Sequence, residues 1–309
     1  MSGYKTSKLE REEARLGYLY ILPWILGFIC FSAIPIIASL IISFMRWNIV
    51  GIPEWIGLKN YRDLFRDNLF YISLKVTLLY SAISIPLSLM FGLALSLLLN
   101  LKIKGIDLFR TLFYLPSVIT GVAVAILWKW IFNGEYGLLN YLLSFFGISG
   151  PDWLKDPKWV LPSYIIMSLW GVGGSAILFL GGLQNIPSQL YEAAKIDGAN
   201  VFQRFWKMTI PLLTPTLFFL LLMGIIGSFQ MFTSAYVING RGGGGPENSG
   251  LFYMLYLYQN AFQASRMGYA SAMAWIGGII SFILAIAVYW TQNKWVYYEA
   301  DEVSKGGRH

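Results

Sequence analysis

Long apolar runs separated by short polar or charged connections dominate the pattern of this chain. Each run is close to, or longer than, the roughly 20 apolar residues that a helix needs to cross the hydrocarbon core of a bilayer. The pattern predicts an all-α membrane protein with six transmembrane helices, so both termini lie on one side. The predicted spans cover residues 18–44, 71–99, 108–132, 159–183, 210–237 and 268–291.

The connections divide the chain into a transmembrane domain, residues 18–292, and two polar ends. Residues 1–17 predict a short helix that leads into the first span, because Ser7 and Glu10 have the spacing of a capping box. A second short helix, amphipathic and suited to the membrane interface, is predicted over residues 58–70. Residues 293–309 form a charged tail.

The composition and motifs argue against metal sites, disulfides, a catalytic triad and a nucleotide-binding loop. Only 13% of the residues are charged, whereas soluble proteins carry about 25%. The single histidine, His309, and the single cysteine, Cys30, leave no metal cluster, disulfide or Ser/His/Asp arrangement. No GxxxxGK[ST] loop is present, and the glycine run at residues 242–245 predicts a turn. The sequence therefore predicts a protein that is not an enzyme and binds no cofactor.

Charged residues indicate the orientation. Placing the N-terminus inside leaves more lysine and arginine in the inner connections than in the outer ones, as cytoplasmic loops usually show. Both termini are then cytoplasmic. Lys75 and Lys129 lie near the outer ends of their spans and are expected to reach the headgroups. Aspartate and glutamate are confined to the connections, so a proton-driven carrier is disfavoured and a partner is expected to supply energy.

A polar interruption at residues 187–215 separates the fourth and fifth spans and predicts helix, turn and helix. Ser188 is a good N-cap for the first helix. Gly198 can adopt the left-handed conformation that ends a helix. Asn200 and Gln203 have capping-box spacing for the second helix. Two short helices at a membrane surface would form a protruding handle, here defined as residues 185–209.

The handle resembles the EAA loop of ABC importer permeases. Glu192-Ala193-Ala194, three residues, Gly198, nine residues and Met208-Thr209-Ile210-Pro211 follow that family's pattern, with Met208 and Ile210 replacing Ile and Leu. Further similarity lies at residues 56–65, 109–140 and 267–274 and in GGGGPENSG. Over residues 10–292 the chain is similar to permeases of carbohydrate importers, the branch that includes maltose and glycerol-phosphate systems.

That resemblance implies a machine with several partners: a second, usually non-identical permease, two cytoplasmic ATPase subunits that bind the ATP, and an extracytoplasmic solute-binding protein. It implies a multi-pass protein of a prokaryotic plasma or inner membrane, with a cytoplasmic coupling helix between helices 4 and 5. The residues expected to couple to the ATPase are Glu192, Ala193, Ala194, Asp197, Gly198 and Pro211.

Small and polar residues that interrupt the third, fourth and fifth spans predict the substrate path. Close helix packing is the alternative explanation for the glycines. From this pattern the predicted path residues are Ser117, Trp170, Gly171, Gly174, Gly224, Ser228 and Gln230. The resemblance to carbohydrate importers adds Met231 and also implies Gly171, Gly174, Gly224 and Ser228, as positions that match that family's sugar contacts. The expected cargo is a sugar or oligosaccharide. A phosphorylated polyol, a secondary carrier working alone and, least of all, an intramembrane enzyme are the alternatives.

Overall fold

The computed structural model describes residues 8–240 and 243–297. Ser7 of the predicted N-terminal capping box and residues 298–309 of the predicted tail lie outside the described residues. The described part divides into two compact units, one of residues up to 66 with 260–275, and one of residues 67–259 with 276 onward. Each unit is described separately below.

The first unit contains the first predicted span. Helix α1 (Lys8–Phe28), a π-helical turn (Ile29–Ala33) and helix α2 (Ile34–Ser43) follow one another without a break in the chain. The apolar helix at residues 15–43 is 29 residues long, and no residue of its most apolar window is buried. The N-terminal polar residues from Lys8 therefore continue directly into the span as one helix.

A small sheet and a short helix close this unit. Strands β1 (Met45–Arg46) and β2 (Glu54–Trp55) pair antiparallel. Helix α3 covers only Lys59–Leu64, so the amphipathic helix predicted over residues 58–70 is shorter than expected. The buried side chain of Asn60 explains its position, because its amide donates to the carbonyl oxygens of Ser43 at 2.8 Å and Met45 at 2.9 Å.

The second unit is a bundle around one long helix, α4 (Asn68–Leu99), which packs against several others. Asp67 begins α4 by accepting a hydrogen bond from the Leu69 backbone at 2.9 Å. The remaining helices are α5 (Ile106–Val118), α6 (Gly121–Ile131), α7 (Leu138–Ser144), α8 (Pro157–Leu169), α9 (Gly173–Gln184), α10 (Ser188–Ile196), α11 (Val201–Arg204), α12 (Ile210–Phe229), α13 (Thr233–Asn239), α14 (Tyr253–Tyr258) and α15 (Met267–Trp295). Helix α15 begins in the first unit and ends in the second.

Aromatic side chains form much of the buried core of this unit. Phe252 is fully buried and meets Tyr80 of α4 and Tyr164 of α8 edge-on, with ring centroids 5.2 and 5.0 Å apart. Tyr164 also donates a hydrogen bond to Asn239 at 3.0 Å. These contacts fix the segment before α14 to the middle of α4 and α8, and Tyr164 links α8 to the end of α13.

Two of the predicted spans are not straight helices. The third consists of α5 and α6, bent by 96°, and the fourth consists of α8 and α9, bent by 46°. Ile119 and Thr120 are extended at the first bend, where β-branched residues precede Gly121 and helix propensity is low. Glycines surround the second bend. The described residues therefore contain four long apolar helices, or six spans if each bent pair crosses once.

The connections also differ from the simplest expectation. The predicted fifth span ends as α12 at Phe229, and residues 233–239 form the separate helix α13. The connections at residues 133–158 and 239–267 contain α7 and α14. Hydropathy does not reveal these breaks, because the apolar composition continues across them while the chain direction changes.

Candidate functional site

The handle has the predicted helix–turn–helix form. Gly198 follows α10 with φ of +80°, and no atom lies within 4 Å of the position that its missing Cβ would take. Asn200 and Gln203 form the reciprocal capping box at the start of α11, with distances of 2.8 and 2.9 Å. Ser188 is the first helical residue rather than the N-cap, because Pro187 takes the capping position without a side-chain bond.

Predicted coupling residues lie mostly on the surface of the handle. Glu192, Ala193, Asp197 and Gly198 are exposed, whereas Ala194 is half-buried. Pro211 is half-buried in α12, directly after the π-helical turn Phe205–Thr209 that joins α12 to α11. The structure thus brings five of these residues together and places Pro211 at the base.

Large apolar side chains are exposed on the same handle. Ile196, Val201 and Phe202 are 86%, 73% and 70% exposed and surround the Gly198 turn. Underneath, the Tyr191 hydroxyl lies 2.9 Å from the Thr209 hydroxyl, which fastens α10 to the base of α12. A turn held this firmly while presenting apolar side chains has the character of a docking surface.

A cavity of about 320 Å³, here called the passage cavity, lies between α4, α12 and the two halves of the fourth span. Three predicted path residues, Gly224, Ser228 and Met231, line it. Hydroxyl groups supply its polar lining, and none of the lining side chains is an acid, a lysine or an arginine. The other lining residues are Tyr80, Ser84, Ile85, Ser88, Leu89, Ser168, Ser175, Leu220, Met223 and Gly227.

Ser228 joins two walls of this cavity. It is buried, accepts a hydrogen bond from Ser81 of α4 at 2.6 Å and donates to the Ile225 carbonyl at 2.8 Å. Gly224 sits against Ile85, whose nearest atom would be 3.1 Å from a Cβ at this position. The cavity wall is therefore tightly packed at residue 224, and a larger side chain at this position would have to extend into the cavity.

The other predicted path residues do not line the cavity. Ser117 and Gly174 face each other where the third and fourth spans bend, 3.6 Å apart between the Ser117 Cβ and the position of a Cβ on residue 174. Trp170, 45% exposed, and Gly171 lie at the bend of the fourth span. Gln230 is exposed after the end of α12. The predicted set therefore separates into a cavity group, a bend group and Gln230, which belongs to neither.

Polar residues of α4 were missing from the predicted path. Tyr80, Ser84 and Ser88 line the cavity and recur every four residues, the spacing of one helix face. This periodicity was visible in the sequence. Hydroxyl groups on one helix face can serve a ligand that offers both donors and acceptors, because each hydroxyl can do either.

No group of three or more histidine, cysteine, aspartate or glutamate side chains among the described residues is placed to hold a metal ion. A larger apolar recess of about 680 Å³ between α4, α12 and α15 offers few polar groups. The passage cavity is thus the better candidate for a polar solute.

Comparison with known proteins identifies the family. Residues 84–294 match the family described as binding-protein-dependent transport system inner membrane component. The chain belongs to this family. The family consists of non-enzymatic transport subunits, so the predicted absence of enzymatic activity is confirmed by membership.

Two curated relatives and one solved structure are similar to this chain over most of its length. A probable ABC transporter permease of Bacillus subtilis, YesP, is 46% identical over 96% of this chain and 97% of the relative. The trehalose/maltose permease MalF of Thermococcus litoralis is 35% identical over 93% and 95%. A chain of a bacterial ABC transporter that imports the acidic polysaccharide alginate superposes with a TM-score of 0.80 at 25% identity, covering 93% of this chain and 99% of that one. The predicted resemblance to ABC importer permeases of the carbohydrate branch is confirmed.

Proposed function

We propose that this chain is the transmembrane permease subunit of an ATP-driven, binding-protein-dependent importer that moves a sugar or an oligosaccharide inward. The observation that carries the proposal is the rigid handle with exposed Ile196, Val201 and Phe202. A protein without its own nucleotide site needs a partner to supply energy, and this surface is where such a partner would bind.

The proposed topology has six spans with both termini and the handle in the cytoplasm. Six crossings follow if each bent pair counts as one span. A cytoplasmic handle agrees with the lysine and arginine bias of the inner connections. An ATPase subunit would then receive α10 in a surface cleft, with Glu192 facing a basic residue and the small Ala193 and Ala194 permitting close approach.

The cargo is inferred from the passage cavity and the relatives. Its hydroxyl lining suits a solute with many hydroxyl groups, and two of the similar proteins are named for trehalose and maltose or for alginate. The full machine would contain a second, non-identical permease, two ATPase subunits and an extracytoplasmic solute-binding protein. Alternating rocking of the helix bundles would expose the cavity to each side in turn.

Affinity purification and cysteine labelling test the assembly and its orientation. The tagged chain, extracted in mild detergent, should retain a second permease and an ATPase subunit. In a Cys30→Ser background, Gln189→Cys should react with an impermeant maleimide only after the cells are opened. Labelling of residue 189 in intact cells, or solute uptake by the purified chain alone without nucleotide, would refute the proposal.

A glycan array tests the cargo. The solute-binding protein that stimulates the complex should bind neutral or acidic oligosaccharides in preference to amino acids and short peptides. Selective binding of amino acids or peptides would overturn the carbohydrate assignment while leaving the importer assignment intact.

A further inference from the structure

A polar pocket lies at the root of the handle, where the turn after α10 meets the helix that leads into α12. Its volume is about 380 Å³, within the range of about 300–1,000 Å³ that small-molecule sites usually have. This pocket, here called the root pocket, is lined by residues 197–199, 203–204 and 207–208. It shares no lining residue with the passage cavity, so it is a separate feature of the molecule.

Two cations line the root pocket without a partner. Neither Arg204 nor Lys207 takes part in an ion pair among the described residues. The Nε atom of Arg204 is buried and has no hydrogen-bond acceptor. Asp197 lines the same pocket but forms no ion pair with either cation, so two positive charges face one negative charge. A buried donor without an acceptor is unfavourable, and a bound anion that accepts from Arg204 would remove that cost.

Arg110, near the start of α5, shows what the partners of an arginine look like elsewhere in this unit. Its guanidinium donates to the Leu99 carbonyl from Nε at 3.2 Å and from a terminal nitrogen at 3.0 Å, and to the Asp107 carboxylate at 3.0 Å. The side chain of Arg204 makes no such bond to any described residue. Arg204 therefore lacks an acceptor that the described part of the chain does not supply.

The depth of the root pocket indicates what surrounds it. Residues 201–229 form one apolar helix of 29 residues, about 43 Å long, whereas the hydrocarbon core is about 30 Å thick. The stretch that fits this core is α12, Ile210–Phe229, which contains no charged side chain. Lys207 and Arg204 precede α12 by about 4.5 and 9 Å of helix, and the headgroup layer is about 5–8 Å thick. Both cations therefore lie within or at the edge of the headgroup layer.

Two neighbouring side chains agree with this depth. The Tyr191 hydroxyl lies 2.9 Å from the Thr209 hydroxyl, so the handle lies close to the residue that precedes α12. Trp206, which lies between the two cations in the sequence, is 54% exposed, and exposed tryptophan is enriched at membrane interfaces. An acidic side chain of an ATPase is the other source of an anion. The depth of the cations and the exposed tryptophan favour a lipid.

We propose that the root pocket binds the phosphate group of an anionic phospholipid through Arg204 and Lys207. The phosphate supplies the acceptor that Arg204 lacks, and its single negative charge balances the excess positive charge of the pocket. The lipid holds the root of the handle to the bilayer and leaves the exposed apolar side chains around the turn to the ATPase. The inference depends on α12 crossing a bilayer and does not depend on the cargo or on the direction of transport.

Lipid binding to the complete transporter tests this site. The transporter is stripped of lipid in a neutral detergent and titrated with phosphatidylglycerol, and native mass spectrometry gives the apparent affinity of the tightest lipid site. Arg204→Gln/Lys207→Gln should weaken that site by at least about tenfold, because two basic contacts to the headgroup are lost. Lys195→Gln is the matched control, since it removes an exposed cation of the same handle that does not line the pocket. It should bind phosphatidylglycerol as the unmutated chain does.

Other sources of the anion give different results. Equal affinity for phosphatidylglycerol in the unmutated chain, the double variant and Lys195→Gln would overturn the lipid site. Displacement of the lipid by excess inorganic phosphate would make the root pocket a site for soluble phosphate, which also overturns the assignment. A double variant that keeps the lipid but loses its ATPase would show that the anion is a carboxylate of the ATPase.

Lys207→Gln alone decides the test if the double variant does not assemble. Lys207 is exposed and forms no ion pair among the described residues, so its loss should leave the fold intact. The affinity for phosphatidylglycerol should still fall by about fivefold, and an unchanged affinity would overturn the proposal. Absence of an ATPase from the unmutated preparation would contradict the proposed function instead, because the lipid is counted on the permease.

Discussion

The handle and the passage cavity differ in how their residues come together. Every feature of the handle lies within one continuous segment, and its form depends on local groups such as the Gly198 turn and the Asn200 capping box. The cavity collects residues from α4, α12 and the fourth span that are more than 100 positions apart. Interactions between neighbouring residues therefore determine the form of the handle, whereas the packing of distant helices determines the cavity. Substitutions in the two regions should fail in different ways.

The largest effect is expected from filling the cavity. Gly224→Phe places a ring in the space between Ile85 and Ser228, so uptake of the selected glycan should fall at least about tenfold by overpacking and blockage. The ATPase should still co-purify, because the handle is untouched. Gly181→Phe, on an open helix face, is the matched control. Normal uptake in Gly224→Phe would separate the cavity from the transport path.

A charge on the handle should weaken binding of the ATPase and leave the passage cavity unchanged. Ile196→Asp leaves the buried core intact but places a carboxylate in the expected ATPase contact. Loss of a well-buried interface side chain costs about 1–3 kcal/mol, which weakens ATPase retention by about 5- to 150-fold. The measurement is ATPase bound per permease after detergent extraction. Ile148→Asp, an exposed isoleucine outside the handle, should retain the partner, and equal loss in both variants would contradict a specific contact.

Substitution of Gly198 in the handle turn should have a smaller effect than the charge at residue 196. Gly198→Val has ample space but must hold a left-handed conformation that costs a β-branched residue about 1–2 kcal/mol. ATP hydrolysis should then continue with reduced uptake, measured as glycan moved per ATP. Gly198→Asn should be milder, because asparagine tolerates this conformation. If proteins with glycine, asparagine or valine at residue 198 moved the same amount of glycan per ATP, the geometry of this turn would have no effect on coupling.

The smallest effect is expected at the hydroxyl pair. Ser81→Ala removes the hydrogen bond to Ser228 and should lower stability by about 0.5–1.5 kcal/mol. Thermal unfolding of the detergent-solubilised transporter measures this change. Ser144→Ala, whose hydroxyl bonds an exposed carbonyl in its own helix, is the control and should shift the midpoint less.

Sequence reasoning succeeded where spacing along the chain was sufficient. The turn at Gly198 and the capping box at Asn200 were predicted from neighbours, and the structure contains both. Gly224, Ser228 and Met231 line the passage cavity, whereas Ser117 and Trp170 lie at the bends. Their place on a substrate path stays a prediction. Apolar composition is the same in a straight span and in a bent one, so hydropathy gave no sign of the turn at Ile119. The Tyr80, Ser84 and Ser88 face was present in the periodicity of α4. It was missed because the path was predicted from interruptions in the third, fourth and fifth spans, and hydroxyl spacing in the second span was not considered.

Composition and spacing by themselves predicted a multi-pass membrane protein whose helices are interrupted by a handle. Those conclusions follow from the hydrocarbon core, which requires long apolar helices, and from local turn chemistry. Tertiary structure alone decided which hydroxyl groups share a cavity, where the third and fourth spans bend and which glycine lies against a neighbouring helix. Such contacts depend on the directions in which helices cross, and residue order does not specify those directions.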